Sequence, residues 1–90
     1  MNILQTPRFK KQVKKLHKNQ KRDLDVAIGA IARDPEVGDL KKGDLNDVRV
    51  YKFKMAKKLT LLAYELYMDE LQLVMLFVGS HENFYRDLKR

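Results

Sequence analysis

Three β-type segments follow one another in the C-terminal half of this 90-residue chain, with only short turns between them. They span residues 48–55, 59–67 and 71–78, and each is rich in β-branched, aromatic or leucine side chains. Residues 56–58 and 68–70 form connections too short for parallel neighbours, which need roughly a dozen residues or more. The sequence therefore predicts a three-stranded antiparallel meander.

Side chains of opposite character alternate along residues 48–55. Tyr51, Phe53 and Met55 share one parity, and Val50, Lys52 and Lys54 share the other. Because successive side chains of a strand point to opposite faces, one face is aromatic and the other carries the lysines. We expect the aromatic face to lie against helices.

Two amphipathic helices precede the meander. A short strand is predicted at residues 2–5, and Thr6 and Pro7 then indicate a helix N-cap and first helical position. The first helix has apolar positions Phe9, Val13 and Leu16, and the second has Leu24, Ile28 and Ile31. A break is predicted near Asn19 and Gln20, and the second helix is expected to end before Asp34 and Pro35.

Residues 36–47 contain two glycines and several aspartates with little periodicity. This pattern is typical of a surface connection. We expect Leu40 and Leu45 to pack back onto the core.

The predicted fold class is α+β, with residues 1–90 forming a single domain. An N-terminal strand and a helical hairpin are expected to pack on one face of a curved antiparallel sheet. Residues 82–88 are predicted to form a short C-terminal helix with Phe84 and Leu88 on one face. The second face of the sheet is expected to be concave and basic.

Positive charge is concentrated near the start of the chain. The formal net charge is +7, and eight Lys and Arg residues precede the first acidic residue, Asp23. A basic opening helix favours an anionic partner such as a nucleic acid or an acidic protein.

Several function classes find no support in the sequence. The chain has no cysteine, which excludes thiol catalysis, and its two histidines, His17 and His81, lie on different predicted elements without zinc-ligand spacing. It has no P-loop or dinucleotide-binding glycine pattern, so we expect no small-molecule cofactor and no metal. No apolar run approaches membrane-spanning length, so we expect a soluble, cytoplasmic protein without a membrane partner.

Chemically active side chains follow the last predicted strand. Gly79 is expected to permit a sharp turn there, and His81, Tyr85 and Arg86 come next. Four lysines are the right kind of cation to hold a phosphate near that histidine: Lys52, Lys54, Lys57 and Lys58.

Over nearly its whole length the chain resembles the RelE/ParE superfamily of bacterial toxin components. The matching segments are Gln5-Thr6-Pro7-Arg8-Phe9-Lys10-Lys11, Leu40-Lys41-Lys42-Gly43-Asp44-Leu45, Tyr51-Lys52-Phe53-Lys54 and Gly79-Ser80-His81-Glu82-Asn83-Phe84-Tyr85-Arg86. The resemblance implies a RelE-like fold and one of two functions. Some members are ribosome-dependent endonucleases that cut messenger RNA in the decoding site, and ParE-type members poison DNA gyrase without cutting.

The resemblance also assigns roles by position. Lys52 and Lys54 match lysines implicated in RelE catalysis, and Tyr85 matches a C-terminal tyrosine that stacks on or assists at the cleaved nucleotide. Leu61 is a departure, because RelE relatives commonly carry an arginine three residues before the tyrosine that here is Tyr64. The residues considered as replacements for this phosphate-stabilising charge are Arg49, Lys57 and Lys58.

RNA cleavage without a metal needs a base, an acid and cations that stabilise the negative charge of the five-coordinate phosphorane. His81 is the preferred acid or base, with helix capping or simple solvation as its structural alternative. Tyr85 either serves the nucleotide or packs its ring against the sheet. Lys52 and Lys54 either clamp phosphates or form an ordinary solvent-facing pair.

Four further cations are candidates for binding RNA phosphates, each with a structural alternative. Arg49 either binds phosphate or braces the acidic loop before it. Lys57 and Lys58 either bind phosphate or form a plain exposed turn. Arg86 either binds phosphate or pairs with Glu82 on the same helix.

The resulting hypothesis is a type II toxin that acts as a ribosome-dependent messenger RNA endonuclease through His81, Tyr85, Lys52 and Lys54. Its expected partners are a cognate antitoxin and the ribosome with its messenger RNA, with the basic first helix touching ribosomal RNA. The alternative is a gyrase inhibitor without enzymatic activity, or an inactive relative that binds only its antitoxin. Leu61 favours that alternative.

Overall fold

One mixed β-sheet carries helices on both of its faces. The computed structural model describes residues 1–41 and 47–88, and these contain five strands and three helices. The strands are β1 (Asn2–Gln5), β2 (Asp39–Lys41), β3 (Val48–Met55), β4 (Lys58–Tyr67) and β5 (Gln72–Ser80). The helices are α1 (Pro7–Lys14), α2 (Lys18–Arg33) and α3 (Phe84–Leu88).

The strand order β1-β5-β4-β3-β2 confirms the predicted meander and the N-terminal strand beside it. β3 pairs antiparallel with β4, and β4 pairs antiparallel with β5. β1 pairs in parallel with β5, which makes the sheet mixed. The α+β class is confirmed, as is the short C-terminal helix, which begins at Phe84 rather than at residue 82.

β2 lies inside the segment that we predicted to be an irregular connection. Its three residues pair antiparallel with β3, with Leu40 opposite Arg49. A three-residue strand is too short to show periodicity, so only its main-chain partner identifies it. The expectation for Leu40 was wrong, because its side chain is 45% exposed, and Leu45 lies outside the described residues.

The two helices begin at recognisable caps. Thr6 Oγ1 accepts a hydrogen bond from the Phe9 N–H at 3.1 Å, and Pro7 occupies the first helical position, as predicted. The predicted break was misplaced: α2 starts at Lys18, and Gln20 lies in its first turn, where its Oε1 accepts from the His17 N–H at 2.8 Å. Among the described residues, no helix has the length and apolar character needed to cross a membrane.

The larger core lies between the helical hairpin and the sheet. Phe9, Leu24 and Ile31 from the helices pack with Leu62, Tyr64, Leu73 and Met75 from the sheet, and all of them are at most 1% exposed. Each such side chain contributes roughly 1.5–3 kcal/mol by leaving water. Tyr51, Phe53 and Met55 pack against this cluster, which confirms the predicted orientation of β3.

The opposite face of the sheet was expected to be basic. The structure corrects this expectation, because the face carries a second apolar cluster. This cluster consists of Val48, Val50, Leu61, Ala63, Phe77 and Phe84. Phe84 of α3 is 1% exposed and packs against Phe77 with ring centroids 5.6 Å apart. α3 covers this cluster. The basic side chains of the face are therefore accessible only at the margin of the sheet that α3 leaves uncovered.

A register shift in β5 places Phe77 under α3. Tyr64 pairs with Met75 and Ala63 pairs with Phe77, so Leu76 is an extra residue in the ladder. A bulge of this kind turns consecutive side chains towards one face and bends the strand. The bend lies just before the residues that close β5.

Residues after β1 continue to hydrogen-bond to the edge of β5. The Thr6 N–H donates to the Met75 carbonyl at 3.1 Å, and the Thr6 hydroxyl donates to the Leu76 carbonyl at 3.3 Å. Further along, the Gln12 amide donates to the Val78 carbonyl at 2.6 Å and accepts from the Val78 N–H at 2.9 Å. These bonds attach α1 to the end of β5 that leads to His81.

Candidate active site

A small pocket of about 90 Å³ lies on the α3 side of the sheet, beside that helix. Its lining consists of Asp39, Lys41, Val50, Lys52, Leu61, His81 and Tyr85. The pocket therefore brings together Lys52, His81 and Tyr85, which are three of the four residues predicted to be catalytic.

His81 is placed by the end of the β4–β5 ladder. Its N–H donates to the Leu59 carbonyl at 3.2 Å, which continues the pairing one residue beyond β5. The expectation of a sharp turn at Gly79 was wrong, because Gly79 pairs with Leu61 within the strand. Glycine fits there for a different reason: a Cβ would lie 3.0 Å from the Phe77 ring and 3.6 Å from the Phe84 ring.

Tyr85 follows the buried Phe84 in the first turn of α3. The two rings meet edge to face, with centroids 5.2 Å apart and an interplanar angle of 89°. The Tyr85 side chain is nevertheless 39% exposed. Its ring can therefore meet a ligand at the mouth of the pocket while its position is set by Phe84.

Lys41 was missed as a site residue by the sequence analysis. Its Nζ lies 5.9 Å from the centroid of the Tyr85 ring, within the range of a cation–π interaction. Lys41 belongs to β2, and the failure to predict that strand hid its approach to the pocket. The only sequence signal was its place in the segment that matched the RelE/ParE superfamily, and Lys42 to Leu45 of that segment lie outside the described residues.

The floor of the pocket is apolar. Lys52 is exposed and pairs across the sheet with Leu61, which is only 2% exposed. Leu61 and Val50 both belong to the cluster beneath α3 and also line the pocket. Among the described residues, Lys41 and Lys52 supply the lysine charges at the pocket, Asp39 supplies one carboxylate, and the apolar floor supplies no charge.

Lys54 is not among the residues that line this pocket. It follows Lys52 on the same strand face, and it contributes to a separate groove with Asp23, Val26 and Ala27 of α2. Lys57 and Lys58 are exposed at the β3–β4 turn, where Ala56 and Lys57 have φ values of 50° and 70°. The Asp23 carboxylate anchors this turn by accepting from the Ala56 N–H at 2.8 Å.

The two arginines predicted to bind phosphate have protein contacts. Arg49 Nη1 donates to the carbonyls of Glu36 at 3.2 Å and Gly38 at 2.9 Å, so Arg49 braces the segment that leads into β2. Arg86 is exposed, and its Nε lies 3.6 Å from Asp87 Oδ1 rather than beside Glu82. A phosphate-binding role for either arginine remains a prediction.

Tyr64 also holds the segment that leads into β2, through two hydrogen bonds of its hydroxyl. Its hydroxyl donates to the Pro35 carbonyl at 2.7 Å and accepts from the Gly38 N–H at 2.9 Å. A Cβ on Gly38 would lie 2.8 Å from the Tyr64 ring, so glycine is required for this approach. Burial is the main cause of the raised pKa of Tyr64. Tyr64 and Arg49 together fix the start of the strand that carries Lys41.

A larger pocket, of about 370 Å³, lies at the other end of the β3–β4 pair. Glu36, Asp47 and Glu65 contribute carboxylates to its lining, and Arg49 is engaged with backbone carbonyls there. A hydrogen bond to the Glu65 carboxylate raises the pKa of Tyr67, which also lines this pocket. Its three carboxylates repel phosphate, whereas the smaller pocket has one carboxylate, that of Asp39, against Lys41 and Lys52. The smaller pocket is therefore the better candidate site for a phosphate group.

Solved structures share this fold. A toxin–antitoxin complex RelBE2 from Mycobacterium tuberculosis contains a chain with a TM-score of 0.76 and 18% identity, and the match covers 89% of this chain and 96% of that one. A double arginine-to-alanine mutant of Escherichia coli toxin RelE in the free state gives 0.74 and 18%, covering 98% and 88%. The intact Escherichia coli RelBE complex gives 0.72 and 20%, covering 90% and 96%.

Sequence comparisons identify the family. The search of curated proteins finds no match. A family model described as the ParE-like toxin of type II bacterial toxin–antitoxin systems matches residues 3–89, which is almost the entire chain. The chain therefore belongs to this family of ParE-like toxins, within the RelE/ParE group that the sequence analysis named.

Proposed function

We propose that this toxin is a ribosome-dependent endonuclease that cuts messenger RNA in the cytoplasm. The observation that carries the proposal is the single pocket in which Lys52, His81 and Tyr85 meet, with Lys41 beside the Tyr85 ring. These residues come from three separate parts of the chain. They combine a proton-exchanging group, an aromatic platform and two cations at one point on the surface.

The proposed reaction is a transfer within the RNA strand. The ribose 2′-oxygen attacks the adjacent phosphorus, the bond from phosphorus to the 5′-oxygen breaks, and a cyclic phosphate remains. One group must take the 2′-hydroxyl proton and another must give a proton to the departing 5′-oxygen. His81 performs one of these transfers, and Lys52 and Lys41 stabilise the negative charge on the phosphoryl oxygens.

The size of the pocket suggests how the nucleotide lies. The pocket is small, at about 90 Å³, and in this proposal it receives the phosphate group. The base must then lie outside, where the exposed face of Tyr85 provides a stacking surface. Lys54 lies one strand repeat beyond Lys52 and outside the pocket, and its proposed role is to contact a neighbouring phosphate.

The small size of the site supports dependence on the ribosome. Such a pocket contacts only a small part of a messenger RNA, so another molecule must hold the RNA in the reactive geometry. The exposed lysines of α1, which include Lys10, Lys11 and Lys14, supply a sequence-independent attraction for ribosomal RNA. In this proposal the ribosome positions the RNA, and the toxin supplies the acid–base groups and the cations.

A cognate antitoxin is the second proposed partner. Two of the similar structures are complexes of a toxin with its antitoxin. In this protein, an acidic or amphipathic antitoxin segment would neutralise the cations around the pocket and displace α3. Displacing that helix would remove Tyr85 from the pocket.

The buried Leu61 supports a second candidate function, inhibition of DNA gyrase without RNA cleavage. Leu61 provides an apolar floor where RelE-like nucleases commonly carry an arginine. A toxin that only binds its target does not need a charge at that point. This candidate predicts that substitutions in the pocket have less effect on toxicity than substitutions on the helices.

The test is primer extension on a defined messenger RNA incubated with the purified toxin, with and without ribosomes. The toxin should cut only ribosome-bound RNA, and His81→Ala should abolish the cuts. His17→Ala is the matched control, because it removes the other histidine, which lies far along the chain at the start of α2. Its cleavage pattern should equal that of the wild type.

Absence of cuts from folded wild-type protein would contradict the endonuclease proposal. A gyrase supercoiling assay on the same preparation then tests the alternative. Inhibition of supercoiling by both wild type and His81→Ala would support the gyrase inhibitor, and cleavage that survives in His81→Ala would remove the histidine from the mechanism.

A further inference from the structure

Arg8, in the first turn of α1, contacts the far end of α3. Its Nη1 donates to the Leu88 carbonyl at 3.1 Å, and its Nη2 donates to the Asp87 carbonyl. The guanidinium carbon also lies 4.2 Å from the centroid of the Phe77 ring. One side chain near the start of the chain therefore connects the C-terminal helix to the sheet.

The contacts of Arg8 require a guanidinium group. Its planar fork can donate two N–H groups while one face of the plane rests on an aromatic ring, and a lysine ammonium cannot do both. Carbonyls at the end of a helix lack intrahelical partners and carry partial negative charge, so they are natural acceptors for a cation. Arg8 is only partly exposed, which limits competition from water.

α3 depends on contacts of this kind for its stability. It has five residues, far below the length at which an isolated helix is stable in water. Phe84 holds its beginning by inserting into the apolar cluster, and Leu88 packs against the same cluster at its end. Arg8 adds directional hydrogen bonds at that end through the Asp87 and Leu88 carbonyls. Apolar contacts alone let the helix shift on the cluster, whereas the hydrogen bonds to Arg8 fix its orientation.

Tyr85 lies between these two attachments. Its backbone follows Phe84, and its ring lines the pocket with Lys52 and His81. Loss of the Arg8 attachment leaves α3 held only by the apolar contacts of Phe84 and Leu88, and the Tyr85 ring then samples positions away from the pocket. The distance between Arg8 and the pocket residues along the chain hides this dependence from sequence inspection.

We propose that Arg8 is a positioning residue for Tyr85, and that it acts on RNA cleavage by holding α3 across the pocket. The inference rests on the proposed endonuclease function, but the attachment itself can be measured without cleavage. Arg8→Lys is the decisive variant, because it keeps the charge and most of the side-chain length while losing the planar fork. Arg22→Lys, on the exposed surface of α2, is the matched control.

The first readout follows position 85 directly. The chain contains no tryptophan, so Tyr85→Trp introduces a single fluorescent indole. Combining it with Arg8→Lys should lower the fluorescence anisotropy and increase acrylamide quenching, because the helix is then held by apolar contacts without the directional hydrogen bonds. Combining it with Arg22→Lys should change neither. Unchanged anisotropy and quenching in the Arg8→Lys background would overturn the attachment.

The second readout is single-turnover cleavage at increasing ribosome concentration, with tyrosine retained at position 85. Arg8→Lys should lower the saturating rate by at least about 10-fold, the change expected for one lost charge-assisted hydrogen bond. The ribosome concentration at half-saturation should stay within about 3-fold, because charge on α1 is retained. A loss of stability alone predicts that the saturating rate falls only in proportion to the fraction of folded protein. A fall of about 10-fold in Arg8→Lys that urea unfolding shows to be folded under the assay conditions therefore excludes that explanation.

The two readouts separate the possible failures. If the wild type does not cut, the endonuclease proposal and the catalytic consequence of Arg8 are both overturned, while the fluorescence measurement still decides whether Arg8 holds α3. If the wild type cuts and Arg8→Lys releases the indole without slowing cleavage, the positioning role is overturned and the endonuclease proposal stands.

Discussion

The Tyr64 hydroxyl makes two hydrogen bonds at the edge of the larger core, and Tyr64→Phe removes both without changing the ring. The side chain is fully buried, and its hydroxyl bridges the Pro35 carbonyl and the Gly38 N–H. Phenylalanine keeps the packing and leaves no large cavity. The substitution therefore isolates the contribution of two hydrogen bonds.

The size of the effect follows from those two bonds. Losing the bond to the Pro35 carbonyl costs about 1 kcal/mol, and leaving the Gly38 N–H buried without an acceptor costs about 1–3 kcal/mol. The free energy of unfolding should therefore fall by about 2–4 kcal/mol, out of the 5–15 kcal/mol that is typical of small domains. The segment leading into β2 should also loosen, because Arg49 would be its remaining side-chain anchor from the sheet.

Urea unfolding followed by circular dichroism measures this loss. The midpoint should fall while the slope of free energy against urea stays constant, since the surface exposed on unfolding is unchanged. Tyr67→Phe is the matched control, because that side chain is 41% exposed and the substitution should cost less than about 0.5 kcal/mol. A Tyr64→Phe protein within that margin of the wild type would refute the reasoning.

The raised pKa of Tyr64 adds a dependence on alkaline pH. Burial favours the neutral phenol in the folded state, so the folded pKa exceeds the ordinary value of 10.0. Its contribution to stability is complete below that value and is lost as the pH rises through the folded pKa. The stability difference between wild type and Tyr64→Phe should therefore shrink above about pH 10. A constant difference from pH 8 to 11 would contradict this assignment.

Three further substitutions test separate parts of the account. Gln12→Leu should lower the free energy of unfolding by about 2 kcal/mol in urea, because it leaves the Val78 N–H and carbonyl without their partners; an unchanged midpoint would contradict the role of Gln12. Lys57→Gly should raise stability by about 1 kcal/mol, because glycine adopts a φ of 70° without strain; a melting temperature at or below that of the wild type would contradict it. Lys41→Ala should slow ribosome-dependent cleavage by about 10- to 100-fold in single-turnover assays, while Lys41→Arg keeps most of the rate; an unchanged rate in Lys41→Ala would remove Lys41 from the site.

Local sequence patterns were sufficient for most of the fold. The alternation at Tyr51, Phe53 and Met55 gave the correct orientation of β3, and the stripes on the helices gave the larger core. These predictions succeeded because each pattern is repeated over several residues of one element. β2 lacked such a pattern, since its three residues owe their conformation to β3.

The second apolar cluster was harder to predict, because it depends on contacts between distant residues. Phe84 was expected on one face of a short helix, but the sequence did not show that it buries Phe77 and Leu61. The bulge at Leu76 also has no local signature. For this reason the sequence analysis expected a basic face, whereas α3 covers much of it.

The candidate site was predictable only in part. His81 and Tyr85 are close in sequence, and the resemblance to RelE added Lys52, so their meeting in one pocket was foreseeable. Lys41 and Arg8 were not identified, because their roles depend on where β2 and α3 pack. Lys54 was grouped with Lys52 by strand parity, yet only Lys52 lines the pocket.

The most direct test of the central claim is a double-mutant cycle on cleavage of ribosome-bound messenger RNA. Single-turnover rates are compared for the wild type, Lys52→Ala, His81→Ala and the double variant. If both residues act on one phosphate in one pocket, each single substitution should cost about 10²-fold or more, and the double should cost far less than the product. Two results would contradict the claim that this pocket is the active site. One is a rate loss in the double variant equal to the product of the two single losses, and the other is a His81→Ala protein as fast as the wild type.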